Sequence, residues 1–148
     1  MNRRRFSIAL LGALVCLAMA ASAFGAEPDS QPAPDPELLW SAARDGDVAA
    51  MKAALAQGVA VDVAKRYGAT ALSMAAGAGH LDAVRFLVEK GADVGSRETF
   101  WGTTPLTRAL GSGHLAVSKL LLDHAAPFDT TALLMAVSQK DPELLEKL

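Results

Sequence analysis

The fold class that this sequence predicts is an all-α solenoid of stacked helix-turn-helix repeats, and three observations predict it. The chain repeats itself at a period of 33 to 34 residues, its copies carry small apolar residues at matching places, and a glycine recurs where each first helix must stop. Composition agrees. The 148 residues are 51% hydrophobic and 5% aromatic, enough for the core of one small domain, which argues against a disordered chain. With 14 Lys+Arg against 16 Asp+Glu there is no surplus of positive charge to hold phosphates, so no nucleic-acid partner is expected.

Taken in order, Met1 to Ala26 reads MNRRRFSIALLGALVCLAMAASAFGA, a basic start, an apolar run from Ile8 to Ala21 and small residues after it. This is the three-part pattern of a secretory signal peptide, with an uncleaved N-terminal anchor as the alternative, and the run is shorter than the about 20 residues of a comfortable bilayer span. The signal is assigned to residues 1–23, since Ala21-Ser22-Ala23 favours cleavage after Ala23; Gly25 offers a second site. Arg3-Arg4-Arg5-Phe6 also fits a twin-arginine signal, and both export routes stay open. Cys16, the single cysteine, follows Val15 and not the small residue expected before a lipidated cysteine. If it leaves with the signal, the mature chain has no disulfide, thiol nucleophile or thiolate-bound zinc, and no membrane span. The expected location is the periplasm or the secreted space. Residues 24–36 carry Pro28, Pro32, Pro34 and Pro36 and read as an extended linker.

From Glu37 the repeats begin. Tyr67 to Val94 and Trp101 to Asp129 superpose at an offset of 34: Gly68 on Gly102, Thr70 on Thr104, Leu72 on Leu106, Ala75 on Ala109, Gly79-His80-Leu81 on Gly113-His114-Leu115. An earlier copy precedes by 33, with Leu39, Ala42-Ala43, Gly46 and Val48, and a fourth follows by only 27, with Leu133, Ala136 and Asp141-Pro142. Thr70 and Thr104 are N-cap types, and Pro105 takes a first helical position where its missing N–H costs nothing. Leu81, Val84, Leu87 and Val88 make the apolar stripe of a second helix; in the next copy Leu115, Leu121 and Leu122 do so with Ser118 interrupting. Helices this short are marginal alone, so neighbouring copies must cover the stripes. Glu37 to Gln57, with Arg44, Asp45, Asp47 and Lys52, has the polar surface of a first, capping copy and places Trp40 inward. The fourth copy reads either as a short C-terminal cap or as a truncated product.

Thr70-Ala71-Leu72-Ser73-Met74-Ala75-Ala76-Gly77-Ala78-Gly79-His80 through Gly91-Ala92-Asp93, and Thr104-Pro105-Leu106-Thr107-Arg108-Ala109 through Gly113-His114, resemble the ankyrin repeat. The resemblance covers residues 37–148, divided at about 37–66, 67–100, 101–129 and a partial 130–148. Ser73 and Thr107 depart from it by replacing the family's histidine, Ser118 by replacing the valine matched by Val84, and Ala125 by replacing the glycine matched by Gly91. It implies β-hairpin finger loops between repeats, a concave face lined by the first helices, and His80 and His114 as ties between neighbouring repeats.

The resemblance also implies a non-catalytic protein-protein interaction module, and the residues agree. No G-x-S-x-G, H-E-x-x-H or phosphate-binding glycine loop is present, and His124 has no acidic or nucleophilic partner at a recognisable spacing. No enzyme activity, cofactor or metal is expected. The candidate partner-binding residues are those the motif leaves free: Lys65, Arg66, Tyr67 and Ala69 on the first finger, and Glu98, Thr99, Phe100, Trp101 and Thr103 on the second. Phe100 beside Trp101 is the sharpest signal, since aromatic side chains serve as interface anchors; packing of Tyr67 and Trp101 over the glycine of an adjacent finger is the competing reading. The concave face offers Arg44 and Asp45, Gly77 and Ala78, Arg108 with Gly111 and Ser112, then Ser138 and Gln139. An inhibitor, immunity or stress-defence partner of an envelope protein is the expected kind of role, and a scaffold that self-associates through the C-terminal repeat is the alternative.

Overall fold

A computed structural model describes residues 34–127 and 129–147. The signal peptide, Cys16 and most of the linker lie outside the described residues. Among the described residues eight α-helices follow one another: α1 Pro36–Asp45, α2 Val48–Ala56, α3 Ala71–Ala78, α4 Leu81–Glu89, α5 Pro105–Gly111, α6 Leu115–Asp123, α7 Thr130–Gln139 and α8 Pro142–Glu146. Helix α1 takes Pro36, the last linker residue, as its first, and Asp35 caps it by accepting from Glu37 N at 3.0 Å.

Each helix packs antiparallel on its partner, and the pairs stack in sequence order, first helix on first helix and second on second. The first helices approach more closely because their contact faces are made of small residues: Ala42, Ala43, Ala71, Ala75, Ala76, Ala109, Ala132 and Ala136 are all buried. The core is filled between the rows by Leu39, Met51, Leu72, Val84, Leu87, Leu106, Leu110, Leu121 and Leu144. Burial at about 25 cal/mol per Å² of apolar surface, shared across neighbours, holds helices of five to ten residues that would melt alone.

The departures from the family pattern have local explanations. Thr70 Oγ1 accepts from Ser73 N at 3.3 Å while Ser73 Oγ accepts from Thr70 N at 3.2 Å; Thr104 and Thr107 reciprocate in the same way at 3.2 and 2.8 Å. Ser73 and Thr107 thus complete capping boxes that open α3 and α5. Ser118, fully buried where α4 has Val84, donates its hydroxyl to His114 O at 3.1 Å. Ala125 repeats the turn made by Gly91, each N–H bonding the carbonyl three residues back, but does so at φ 56°, a region that favours glycine.

His80 Nε2 lies 3.0 Å from Arg44 O, and His114 Nε2 lies 3.2 Å from Gly77 O, so each histidine ties its repeat to the one before. The preceding glycine makes room: a β-carbon on Gly79 would fall 2.5 Å from the His114 ring. The fourth copy has Asp141 in that place, and Gln139, expected on the concave face, is turned to the tie instead, its Nε2 donating to Leu110 O at 3.1 Å. Trp40 is half-buried, with Nε1 donating to Val63 O at 2.9 Å.

Candidate partner-binding surface

The loops that join the first pair to the second and the second to the third project as fingers. They are hairpin-like but shorter than the β-hairpins the resemblance implies. Lys65 N–H bonds Ala69 O at 2.8 Å and Glu98 N–H bonds Thr103 O at 2.9 Å, one cross-link each, and no strand forms among the described residues. The first finger turns through Arg66–Gly68, with Tyr67 at φ 69° and Gly68 at φ 80°. Glycine is required at 68 on a second ground: a β-carbon there would sit 3.1 Å from Arg97 O of the next finger. That closeness lets Thr99 N–H reach Tyr67 O at 2.8 Å and lock one finger to the other.

The lock brings three aromatic rings together. Tyr67 and Phe100 meet edge to face at 5.8 Å between centroids, and Phe100 and Trp101 at 4.8 Å. All three are exposed, at 58%, 66% and 78%. Tyr67 therefore leans on the neighbouring fingertip and not over its glycine. The junction that follows Trp101's finger is shorter, because the fourth copy begins seven residues early, and a β-carbon on Gly102 would meet no neighbour among the described residues.

Glu98 anchors this arrangement from beneath. Its side chain is only 13% exposed and binds Arg108; it accepts from Ser73 Oγ at 3.2 Å and from Thr103 Oγ1 at 3.3 Å. Glu98 and Thr103, grouped at the sequence level with the exposed fingertip, thus hold the finger to α3 and α5. Arg108 lies over Gly77, where a β-carbon would come within 2.8 Å of its Nε, so the middle of the concave face holds a guanidinium. The result is a cleft of about 460 Å³ bounded by Arg66, Tyr67, Phe100, Trp101, Glu98 and Arg108. Beside it a smaller groove of about 280 Å³ is lined by Arg44, Met74, Gly77, Ala78, Arg108 and Ser112.

Nearly all of the predicted surface thus falls on the finger and first-helix side. Asp45 stays at its edge, exposed and 4.0 Å from Arg44. Among the described residues no three His, Cys, Asp or Glu side chains gather into a metal site, and no helix is long and apolar enough to cross a membrane. Sequence reasoning missed the hub role of Glu98; its signal was an acid placed ten residues before an arginine across one finger.

Comparison with known proteins adds two findings. The family model for ankyrin repeats in three copies matches residues 9–98. Over 58 residues the chain is 43% identical to the potassium channel AKT2/3 of Arabidopsis thaliana, a stretch that is 39% of this chain and 7% of that one. The chain therefore spans a small part of that relative's length.

Proposed function

The chain belongs to the ankyrin-repeat family, and from that premise we propose that it is an exported, non-catalytic module that binds a protein partner through the fingertip surface of Tyr67, Phe100 and Trp101. Ankyrin repeats imply protein-protein interaction; the residues that do it are the further step. One observation carries that step: three large aromatic rings stand exposed on two locked fingers, in contact with one another and little covered by the body of the domain. Side chains of this kind lose little entropy on binding and bury much apolar area, which is why they dominate interface energetics. Arg66, Arg108 and Arg44, with Ser112 and Asp45 at the groove, supply orientation.

Export rests on the sequence of residues 1–23, and with it a periplasmic or secreted location. An envelope protein that this module inhibits, shields or supports under stress is the fitting partner. The test is retention from an envelope extract by tagged residues 24–148, beside the Phe100→Ala, Trp101→Ala variant. One protein held stoichiometrically by the parent and lost by the variant supports the reading; equal retention by both would sink the fingertip as the site.

A second reading has its own observation. Leu133, Leu134 and Val137 on α7 and Leu145 on α8 are exposed, four apolar side chains on the fourth pair. Self-association through these side chains would make the protein a scaffold. Sedimentation velocity on the parent and on Leu134→Lys, Val137→Lys decides it: a concentration-dependent dimer abolished by the variant supports the scaffold, and a monomer at every concentration removes it.

A further inference from the structure

We infer that the partner segment seated on the fingertips is a stretch of protein that carries an apolar anchor residue with Asp or Glu within a few positions of it. The inference rests on the fingertip reading above and adds the chemistry of what binds there. The anchor follows from the rings, which form an apolar patch open to solvent on two fingers. The acids follow from the charges that border it. Arg66 places its guanidinium carbon 5.9 Å from the Tyr67 ring, is exposed, and makes no ion pair among the described residues. Arg108 also lines the cleft, paired with Glu98.

The one acid lining that cleft is paired with Arg108, which leaves the Arg66 charge uncompensated. Glu98 is nearly covered and already takes hydrogen bonds from Ser73, Thr103 and Arg108, so it satisfies the finger and presents little negative charge outward. Lys65, next in the finger, is spent on Glu37 at 2.9 Å. A chain with a formal charge of -2 therefore displays, beside its exposed aromatic rings, a cleft whose one unpaired charge is the positive charge of Arg66. Aromatic rings alone would also attract a cationic side chain, but such a group would meet Arg66 and Arg108. A carboxylate there gains a forked, charge-assisted contact from guanidinium N–H groups while its neighbour covers the rings.

The probe is a phage-displayed library of random twelve-residue peptides, selected on residues 24–148 and then measured as synthetic peptides by fluorescence anisotropy. The expected result is enrichment of sequences with an aromatic or branched aliphatic residue and at least one Asp or Glu within three positions. Their affinity should fall about tenfold on Arg66→Glu and much less on Arg66→Lys, and weaken as salt is raised. Circular dichroism of each variant confirms folding, since Arg66 is exposed. Peptides lost on Phe100→Ala, Trp101→Ala but carrying no acidic excess, or indifferent to Arg66→Glu, would overturn the acidic partner and leave the fingertip site standing. Peptides indifferent to the aromatic variant would overturn both. A library yielding no binder would also overturn the inference, while the extract experiment still judges the wider reading.

Discussion

Gly79 and His114 show how one residue's absence of a side chain serves another's contact. The His114 ring lies where a Gly79 β-carbon would be, and Gly79 itself sits at φ 80°. Gly79→Ala should destabilise the domain by about 3 kcal/mol or more through strain and overlap. Because much of that penalty is the overlap, His114→Ala should cost less in the Gly79→Ala background than alone, and a double-mutant cycle by urea unfolding would expose the coupling. The reverse case is Ala125, held at φ 56° in a turn that Gly91 makes without strain. Ala125→Gly should stabilise by about 1 kcal/mol, the relief of the left-handed conformation exceeding the added unfolded-chain entropy; a lower unfolding midpoint would contradict this. The exposed fingertips behave differently from both. Phe100→Ala and Trp101→Ala should leave stability within about 0.5 kcal/mol of the parent while reducing partner retention, which thermal melts and the extract experiment read separately.

At the scale of the element, α8 is attached by charge more than by burial, since of its five residues only Leu144 is buried. Asp141 caps it, accepting from Glu143 N and Leu144 N at 3.0 Å each, and Lys119 of α6 reaches Asp141 at 3.2 Å and Glu143 at 2.5 Å. The Leu144 N–H, then the Lys119 ammonium, hold the Asp141 carboxyl below its ordinary 3.8. A carboxylate so lowered adds stability that is present above 3.8 and lost as pH falls through its folded value. The Glu143 carboxylate, and Asp141 beside it, raise Lys119 above 10.5, so its share is present below 10.5 and lost as pH rises past the folded value. Amide exchange in α8 should therefore accelerate at both extremes, and Asp141→Asn should remove most of the acid-side change. An unaltered acid limb in that variant would show that another group controls it.

For the molecule as a whole, what the sequence made legible is what the period writes directly. The Thr70 and Thr104 caps, the Gly46, Gly79 and Gly113 stops and the histidine ties recur at fixed intervals, so their places follow from the spacing alone. The fingers were not legible in the same way. Whether Glu98 points into the body or out to solvent depends on Arg108, Ser73 and the Thr99–Tyr67 lock, contacts between copies that no single copy encodes.

That nearest-neighbour construction governs how the stack should come apart. Each pair touches only the pairs beside it, so the last pair has one interface and the middle pairs have two. Leu144 and Leu106 are both fully buried, and truncation of either to alanine removes about 2–5 kcal/mol of packing. Leu144→Ala should spend that loss locally, letting α7 and α8 open while α1 to α6 keep their protection, since among the described residues α8 packs mainly on α6 and α7. Leu106→Ala weakens α5 between two neighbours and should lower protection along the stack together. Native-state hydrogen exchange resolved by element separates the two: uniform loss of protection in Leu144→Ala would mean that the last pair is an integral part of one cooperative unit, and the apolar face it carries would then be rigid enough to serve as an interface.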